Sequence, residues 1–353
     1  MPNNWKTYNL GELVDLKQGL AINKKTKHLL TEDTSELPLF KINDLINNTV
    51  KHYVKSDEIP KQCIANEDEL IYTRTGQVGL IFKGKKGCIH NNCFKIIPDE
   101  TLISKDYIYW FLRQPHIIEY ANNIASGSVQ KDLNHKAFKS IEIDVPDTLD
   151  EQKAIASILS AIDDKIENNL AINKTLEDMA MALYKHWFVD FGPFQDGEFI
   201  DSELGPIPKG WEVKRLDEII EIKRGGSPRP IKDFIADDGL HWLKISDATA
   251  SNSPFLYTTK EFIKEEGLRK TILIKPGSII LSNSATPGLP RLIEFETCIH
   301  DGWLHFPKIN RFNRYILYLL FLDIKEHLIQ QGNGSVFGVL EWPRSGRPCS
   351  REL

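Results

Sequence analysis

This sequence contains an internal repeat. Segments recur at an offset of roughly 206 residues, far longer than the period of about 20–50 residues typical of solenoid repeats. The matched pairs, in chain order, are Trp5–Leu10 with Trp211–Leu216, Glu12–Gly19 with Glu218–Gly225, Lys41–Asp44 with Lys244–Asp247, Cys88–His90 with Cys298–His300, and Gly127–Val129 with Gly334–Val336. The sequence therefore predicts two copies of one domain.

Each copy carries signals for both strands and helices. Glu69–Tyr72 and Ser278–Leu281 are short apolar runs followed by loops with Gly or Pro, a pattern typical of strands. Asp106–Tyr120 and Asn313–Ile329 have apolar residues at helical spacing. The residues on one side of the first helical segment are Tyr107, Trp110, Phe111 and Ile118. We expect each copy to be an α+β domain, with mixed helices and strands and a twisted sheet.

A long segment without Pro or Gly, Thr148–Trp187, lies between the copies and predicts one helix. Thr148 and Glu151 fit a capping box, in which each side chain accepts a hydrogen bond from a free main-chain amide of the first turn. Apolar residues are spaced alternately by three and four, as in a left-handed coiled coil. One seam position holds Ile155, Ile162, Asn169, Leu176 and Leu183, and the other holds Leu159, Ile166, Asn173, Ala180 and Trp187.

Two arrangements of this helix are open. It could pair with another helix, or it could lie on its own two domains. We expect a helical partner, because soluble proteins rarely leave an apolar stripe of this length exposed. Asn169 and Asn173 would fix the register at some cost in stability. The predicted subunit interface consists of Ile155, Leu159, Ile162, Ile166, Asn169, Asn173, Leu176 and Leu183.

The composition indicates a soluble globular protein of the cytoplasm. Hydrophobic residues make up 41% and charged residues 26% of the chain. No apolar run reaches the ~18 residues needed to cross a membrane, and the first residues lack the features of a signal peptide. Five scattered cysteines suggest reduced thiols. The net charge of −5 means that any contact with nucleic acid must use local basic surface.

The sequence resembles the specificity subunits of type I restriction-modification enzymes. The residues that carry the resemblance are Asp150–Ile155 at the start of the helix, Asp201–Trp211 before the second copy, and a Gly-Ser-Val sequence after a helix in each copy. The resemblance covers about residues 5–337, and Leu204–Trp211 is its most specific part. It implies two similar target-recognition domains joined by a long coiled-coil helix, each domain reading one half of a bipartite site in double-stranded DNA.

The resemblance also implies partners. Helices of such subunits dock methyltransferase subunits, and the assembly recruits a restriction subunit that translocates and cleaves DNA. The specificity subunit itself would be non-catalytic and would need no cofactor or metal. Members of the family carry a second helical region after the second recognition domain, which pairs with the first. We find no such pattern here, and expect the unpaired helix to recruit a second copy of the chain as a homodimer.

Five segments follow from these patterns. They are a first recognition domain at 1–147, the central helix at 148–188, a linker rich in Pro and Gly at 189–210, a second recognition domain at 211–337, and an atypical tail at 338–353. The tail has no heptad pattern and reads like a frameshifted end or a remnant of cloning.

Basic loops at equivalent places in the two copies are the first candidates for DNA contact. Lys17–His28 and Lys223–Lys232 contain several basic residues and no acidic one. Lysine suits phosphate neutralisation, whereas Arg74, Gln77 and Asn283 could pair with base edges. The alternative is a surface charged for solubility. The predicted DNA-contacting residues are Lys17, Lys24, Lys25, Lys27, Arg74, Gln77, Lys83, Lys85, Lys86, Gln130, Lys131, Lys223, Arg224, Arg229, Lys232, Asn283 and Arg291.

Two function classes other than a DNA-reading subunit remain open. Asp147, Glu151 and Lys153 superficially match the pattern of a metal-dependent nuclease, but the same residues explain the start of a helix. A coiled-coil assembly protein whose repeats bind protein is the third class. No dinucleotide, P-loop or methyltransferase fingerprint is present in the sequence.

A zinc site was also considered. Cys88, His90 and Cys93 supply only three candidate ligands, and Cys298–His300 has no counterpart of the third. We therefore interpret these cysteines as buried strand residues.

Overall fold

The computed structural model describes residues 4–310 and 312–331. It divides into two compact units, Met1–Leu170 and Ala171–Leu353, and each contains one copy of the repeat. The predicted tail at 338–353 and the second Gly-Ser-Val sequence, Gly334–Val336, lie outside the described residues.

The first unit contains eleven strands and six helices among its described residues, the last helix continuing into the second unit. In chain order they are β1 (Trp5–Asn9), α1 (Leu10–Leu13), β2 (Val14–Gln18), β3 (Leu30–Thr31), β4 (Leu37–Phe40), α2 (Ile42–Asn47), β5 (Tyr53–Val54), β6 (Ile64–Ala65), β7 (Leu70–Thr73), β8 (Ile81–Phe82), β9 (Gly87–Ile89), β10 (Cys93–Pro98), α3 (Lys105–Leu112), α4 (Pro115–Ile124), α5 (His135–Lys139), β11 (Glu142–Pro146) and α6 (Leu149–Phe188).

The strands of the first unit form two main sheets. An antiparallel sheet has the order β2-β10-β7-β8, and a mixed sheet has the order β3-β5-β4-β9-β6 with β4 and β9 parallel. A separate pair, β1 and β11, places Trp5 opposite Pro146. The two ends of the copy therefore lie side by side.

The elements of the second unit follow the same course. In chain order they are β12 (Phe199–Ser202), β13 (Gly205–Pro208), α7 (Leu216–Ile219), β14 (Ile220–Arg224), β15 (Ile235–Ala236), β16 (Leu240–Leu243), α8 (Ile245–Ala250), β17 (Phe255–Leu256), β18 (Glu261–Ile263), β19 (Ile272–Ile274), β20 (Ser278–Ser282), β21 (Pro290–Ile293), β22 (Thr297–Ile299), β23 (Trp303–Ile309), α9 (Arg314–Asp323) and α10 (Lys325–Gln331).

The two copies share one sheet topology. The orders β14-β23-β20-β21 and β15-β18-β16-β22-β19 repeat those of the first unit strand for strand, including the parallel pair in the second sheet. In the second unit β17 adds a fifth strand to the first sheet, beside β21. The predicted duplication of one α+β domain is confirmed.

Four details differ from the sequence-based expectation. The helix predicted over Asn313–Ile329 is two helices, α9 and α10. Each copy has two main sheets where we expected one. The helix predicted over Asp106–Tyr120 is two helices, because Pro115 begins α4 after an extended Gln114. The segment predicted as a linker at 189–210 contains the β12–β13 hairpin, whose turn uses Gly205 with a φ of +92°.

The main core of the first unit lies between the antiparallel sheet and helices α3 to α5. Tyr72 of β7, Phe94 of β10 and Phe138 of α5 are fully buried, with ring centroids 4.9–5.4 Å apart. Such pairs stabilise a core beyond their buried area. Apolar side chains therefore hold the sheet against helices α3 to α5.

The central helix α6 is continuous from Leu149 to Phe188, as predicted. At its start the Thr148 hydroxyl accepts a hydrogen bond from the Glu151 amide at 3.3 Å. The Glu151 carboxylate accepts hydrogen bonds from Asn4 and from the Trp5 indole. The threonine half of the predicted capping box is present, and the glutamate ties the helix to the chain start.

One side of α6 packs on the domain of its own unit. In the first unit Gln152 is buried and its Oε1 accepts a hydrogen bond from the Ser104 amide at 2.7 Å. Asp163 pairs with Arg113 at 2.6 Å. In the second unit Tyr184 is buried in the core around Leu317. The alternative of a helix that lies on its own domains thus describes this side.

The opposite side of α6 is an exposed apolar stripe. Ile155 is the exception among the predicted interface residues, because it is half-buried against the core of the first unit. The exposed members of the stripe are Ile158, Leu159, Ile162, Ile166, Leu170, Ile172, Leu176, Met179, Leu183 and Trp187. The predicted seam is therefore available to a partner helix over most of its length. No helix within the described ranges is both long and apolar enough to cross a bilayer.

Candidate nucleic-acid interface

Several loops of the first copy leave the antiparallel sheet at one edge, meaning at the same end of its strands. Gln18, the last residue of β2, lies opposite Phe94, and Thr73, the last residue of β7, lies opposite Cys93. The segments that follow β2 and β7 and precede β10 therefore meet at this edge. We call it the loop edge of copy 1, formed by residues 19–29, 74–80 and 90–92 together with the loop 126–134 that packs on them.

Arg74 ties the loops of this edge together. Its Nη2 lies 2.5 Å from Asp132, and its Nη1 donates to Gln18 Oε1 at 3.3 Å. The same oxygen is 2.9 Å from His135 Nε2, and the Thr75 hydroxyl donates to Asp132 at 2.6 Å. Burial, with the nearby Arg74 charge, lowers the pKa of His135. The Arg74 side chain is 21% exposed, so it braces the edge more than it projects from it.

The predicted polar loop at residues 126–134 does reach this edge. The Gly76 amide donates to the Lys131 carbonyl at 2.9 Å, which joins it to the loop that carries Gln77. Gln77, Gln130 and Lys131 are all exposed. The structure therefore brings together the amides and the amine that the sequence proposed for DNA contact.

The lysine-rich segment 19–29 belongs to the same edge. Lys24, Lys25 and Lys27 are exposed on a turn shaped by Asn23, whose Oδ1 accepts from the Lys25 amide at 2.8 Å. Lys17, at the end of β2, pairs with Asp15 at 3.0 Å. A hydrogen bond from Lys17 is the main reason that the pKa of Asp15 falls to about 2.

Lys83, Lys85 and Lys86 do not join the loop edge. They follow β8, and the β7–β8 hairpin places the end of β8 at the edge opposite to the loop that starts at Arg74. Lys85 donates to Asn48, and Lys83 lies 4.5 Å from the centre of the Tyr109 ring. The expectation that they share a surface with Arg74 is wrong. The loop that starts at Arg74 enters β8 at one end and Lys83 follows β8 at the other, so the two lie at opposite ends of the strands.

The equivalent edge of the second copy is built around Asp301. Arg224 Nε donates to its carbonyl at 2.5 Å, the Ser227 hydroxyl donates to its carboxylate at 2.7 Å, and Arg229 lies 3.3 Å from the carboxylate. Burial acts to raise the pKa of Asp301, but the Ser227 hydrogen bond and the nearby positive charges lower it overall. We call residues 225–232, 283–289 and 300–302 the loop edge of copy 2.

This edge contains a groove of about 920 Å³ that is lined mainly by apolar side chains and has three basic residues among them. Its basic residues are Arg229, Lys232 and Lys244, of which Arg229 pairs with Asp301 and Lys244 pairs with Glu261. Ser284 supplies a hydroxyl. Arg229, Lys232, Lys223 and Arg224 are exposed, although Lys223 pairs with Glu221 at 2.8 Å. Positive side chains around an open groove suit a polyanion.

Two residues of the second copy are unsuited to direct contact. Arg291 is only 9% exposed, and its guanidinium donates to the main-chain carbonyls of Ala248, Ser251 and Pro290. Asn283 is 3% exposed. Burial argues against direct contact with DNA for both residues, because Arg291 lies within β21 and Asn283 directly follows β20.

Some residues at the two edges were not among the sequence candidates. Gln18 contacts Arg74, and Lys244 lines the groove. The repeat itself holds a signal for the first, because Gln18 occupies the position of the predicted Arg224 at the end of the equivalent strand. Lys244 lies before a helix far from the basic loop in sequence, and periodicity gives no hint of it.

The residues weighed for other chemistry have structural partners. Asp147 pairs with Lys6 at 2.9 Å, and Glu151 binds Asn4 and Trp5 as described above. Cys88 and Cys93 are fully buried in β9 and β10, which confirms their interpretation as buried strand residues. Across residues 4–310 and 312–331, no group of three or more His, Cys, Asp or Glu is arranged to hold a metal ion.

Several curated proteins are similar to this chain in sequence. The chain is 28% identical over 297 residues to the type I restriction enzyme MjaIX specificity subunit of Methanocaldococcus jannaschii, covering 80% of this chain and 67% of that protein. For the MjaVIII specificity subunit of the same organism it is 27% identical and covers 64% of that protein. The chain thus spans about two thirds of the length of these relatives. The HindI specificity subunit of Haemophilus influenzae is 24% identical, with 81% of this chain and 75% of that protein covered.

The fold also has a counterpart among solved structures. A crystal structure of the S subunit of a type I restriction-modification system from M. genitalium matches with a TM-score of 0.54 at 19% identity, covering 93% of this chain and 80% of that one. The family described as the type I restriction modification DNA specificity domain matches twice, at residues 2–178 and 208–341. Each match includes one copy of the repeat and the loop edge that it carries, and so this chain belongs to the family of type I restriction modification DNA specificity domains.

Proposed function

We propose that this chain is the sequence-reading subunit of a type I restriction-modification complex, and that each copy reads one half of a bipartite site in double-stranded DNA. The observation that carries the proposal is that two copies with one topology present different polar side chains at equivalent loop edges. Two similar readers on one continuous helix would contact two half-sites at a set separation. The names of the related proteins support the same role.

Within copy 1 the exposed lysines and the exposed amides would make different kinds of contact with DNA. Lys24, Lys25 and Lys27 would neutralise phosphates, a contact that positions the protein without reading sequence. Gln77 and Gln130 would face base edges, since an amide can pair with both adenine N6 and N7. In copy 2, Arg229 and Lys232 would meet the DNA at the groove, and Arg224, which binds Asp301 as Arg229 does, would meet it outside the groove. Methylation and cleavage would be carried out by partner subunits.

A pair of triple variants tests the DNA interface. Replacing Lys24, Lys25 and Lys27 with Gln should weaken binding to all sequences and reduce the slope of log K against log salt by about 0.9 for each phosphate that is no longer neutralised. The matched control replaces Lys83, Lys85 and Lys86 with Gln. It removes the same charge from the opposite edge of the sheet and should leave the slope unchanged.

Equal salt slopes for the two triple variants would show that the loop edge of copy 1 is not part of the DNA interface. Incubation of the purified chain with plasmid and Mg²⁺ tests the alternative of a stand-alone nuclease. Cleavage without any partner subunit would favour the nuclease over the DNA-reading subunit. An assembly protein without DNA affinity would give no salt-dependent shift with random-sequence duplex.

We further propose that the exposed stripe of α6 is the surface for subunit contacts. In the complex it would dock helices of the methyltransferase subunits, and the assembly would recruit the restriction subunit. An isolated chain would cover it with a second copy. The seam residues are symmetric about position 171, so that an antiparallel partner would place Asn169 against Asn173 and Ile166 against Leu176.

The mass of the isolated chain tests the pairing. Light scattering at micromolar concentration should give a dimer for the native sequence and a monomer for Ile166→Glu, which puts a charge into the seam. Ala171→Glu introduces the same side chain outside the seam and should leave the dimer intact. A native mass equal to one chain contradicts the homodimer, and retained methyltransferase binding by Ile166→Glu contradicts the docking surface.

A further inference from the structure

One apolar side chain stands alone at the loop edge of copy 1. Val129 is 100% exposed, whereas the next most exposed large apolar side chain among the described residues of this unit, Ile158, is 63% exposed. Ile158 belongs to the stripe of α6, but Val129 has polar neighbours in sequence on both sides, Ser128 and Gln130. Folding gains nothing from an apolar side chain that stays in water.

The tip that carries Val129 is a closed hairpin. The Ser126 amide donates to the Asp132 carbonyl at 3.0 Å, and the Asp132 amide donates back to Ser126 at 2.7 Å. Gly127 has a φ of +98°, and a Cβ at this position would lie 2.3 Å from the Gln130 carbonyl oxygen. The glycine is therefore required for the tight turn that directs residues 128–131 outward.

The base of the hairpin is fixed to the rest of the edge. Asp132 accepts from Arg74 at 2.5 Å and from the Thr75 hydroxyl at 2.6 Å, so the hairpin moves together with the 74–80 loop. Side chains on a braced support can discriminate between ligands that differ by one small group, because little ordering is needed on binding.

The neighbours of Val129 indicate what it would contact. A protein interface normally offers an apolar cluster with a polar rim, and here one small apolar side chain is followed by an exposed amide, Gln130. The next residue, Lys131, adds a positive charge, although its amine donates to the Asn122 carbonyl at 2.7 Å. In the major groove of B-DNA an A·T pair presents this chemistry. Thymine carries a 5-methyl group, adenine offers N6 and N7 to an amide, and phosphates flank the groove.

We propose that the tip Gly127–Lys131 enters the major groove and that Val129 contacts the 5-methyl group of a thymine, with Gln130 on the adenine of an A·T pair. The proposal rests on the proposed function of copy 1 as a DNA reader. It adds an A·T pair to the first half-site and assigns a residue to each base of that pair.

Replacing single thymines with deoxyuridine, which lacks only the methyl group, tests this contact. The site is first selected from a random DNA pool by the full chain with its methyltransferase subunits. Each thymine in the selected site is then replaced in turn. One replacement should lower the affinity of the native protein about three- to fivefold, the effect of one methyl group. Val129→Ala should weaken binding by a similar factor on thymine DNA and should no longer respond to deoxyuridine at that position.

The control variant is Val50→Ala. Val50 is also exposed and lies two residues from Asn48, which binds Lys85 at the opposite edge of the sheet. It should keep the full response to deoxyuridine. The inference is overturned if Val129→Ala keeps that response at every position, or if the native protein shows none. A native chain that selects no sequence at all overturns the proposed function as well, so the two failures are distinguishable.

Discussion

The loop edges of the two copies share a framework and differ in the groups that they display. Gly19 and Gly225 occupy equivalent places, where a Cβ would lie 2.4 Å and 2.2 Å from the carbonyl oxygens of His90 and His300. Copy 1 carries an amide at the end of its first sheet strand, Gln18, and an arginine after β7. In copy 2 the two residue types are exchanged, so that an arginine ends β14 and an amide follows β20.

The exchange places an arginine, Arg224, where copy 1 has Gln18, and an amide, Asn283, where copy 1 has Arg74. Gln18 Nε2 donates to the Asn91 carbonyl, and Arg224 Nε donates to the equivalent carbonyl of Asp301. Only one of the two arginines is exposed, since Arg74 is held by Asp132 while Arg224 lies at the surface. One scaffold can therefore keep its main-chain contacts and change which side chain faces outward, which is what two different half-sites would require.

The largest expected difference between the copies is in their cores. Trp303 is fully buried at the start of β23 and donates to the Leu243 carbonyl at 3.1 Å, whereas the equivalent residue of β10 is Cys93. Trp303→Ala should lower the unfolding free energy of the second copy by about 3–5 kcal/mol. Cys93→Ala should lower that of the first by about 1 kcal/mol. Urea unfolding followed by hydrogen exchange in peptides from each copy measures both, and equal decreases would show that the cores are not filled differently.

The next effect concerns the exchanged arginines. Arg224→Ala should reduce discrimination at one position of one half-site by about ten- to a hundredfold, as expected for removal of a bidentate contact to guanine. Arg74→Ala should instead weaken binding with little change in base preference, because Arg74 braces the edge through Asp132. Selection from a random DNA pool with each variant compares the two. A larger drop in base preference for Arg74→Ala than for Arg224→Ala would show that Arg74 reads a base and that Arg224 supports the loops.

The smallest effect is expected to be common to both copies. Burial lowers the pKa of His90 and of His300, and Nδ1 of each ring accepts from a nearby amide, that of Asn92 or Gly302. The folded pKa lies below the unfolded one, so the unfolded chain takes up protons first as the pH falls. The stability from these rings is therefore complete above about pH 6.5 and is lost below it.

Urea unfolding between pH 7.5 and 5 measures this dependence. His90→Asn should flatten the pH dependence of the first copy and leave that of the second unchanged. The flattening should be partial, since the pKa of His135 is lowered as well. An unfolding free energy of the native chain that rises on acidification over this range would contradict the direction of these pKa shifts.

The sequence predicted the parts of the structure that depend on local pattern or on repetition. The duplication, the strand at Leu70–Thr73 and the helix Leu149–Phe188 follow from matched segments, apolar runs and heptad spacing. The exposed stripe of the helix also follows from the 3-4 spacing. Ile155 departs from it because its neighbours in the core of the first unit are distant in sequence, and the heptad pattern contains no information about them.

The candidate site was predicted less well, because its geometry depends on strand pairing. The alternation of a strand tells which face a side chain occupies but not which edge of the sheet a loop reaches. Lys83 and Arg74 are close in sequence, yet the hairpin between them separates their edges. Arg291 carries the right charge, but it sits inside β21 and is buried by Ala248 and Ser251, which lie about forty residues away in the chain.

The pairing of β1 with β11 has a consequence for how such a chain can change. Because Trp5 lies opposite Pro146, the chain enters and leaves the first copy at neighbouring positions. Both lie next to the start of α6, where Glu151 accepts a hydrogen bond from the Trp5 indole. The segment between these two points could be exchanged for another of the same topology, provided that it keeps the groups that hold α6, such as the Ser104 amide on Gln152 and Arg113 on Asp163. Such a junction would let the loop edge of the first copy be replaced as a whole, with the exposed stripe of α6 inherited intact.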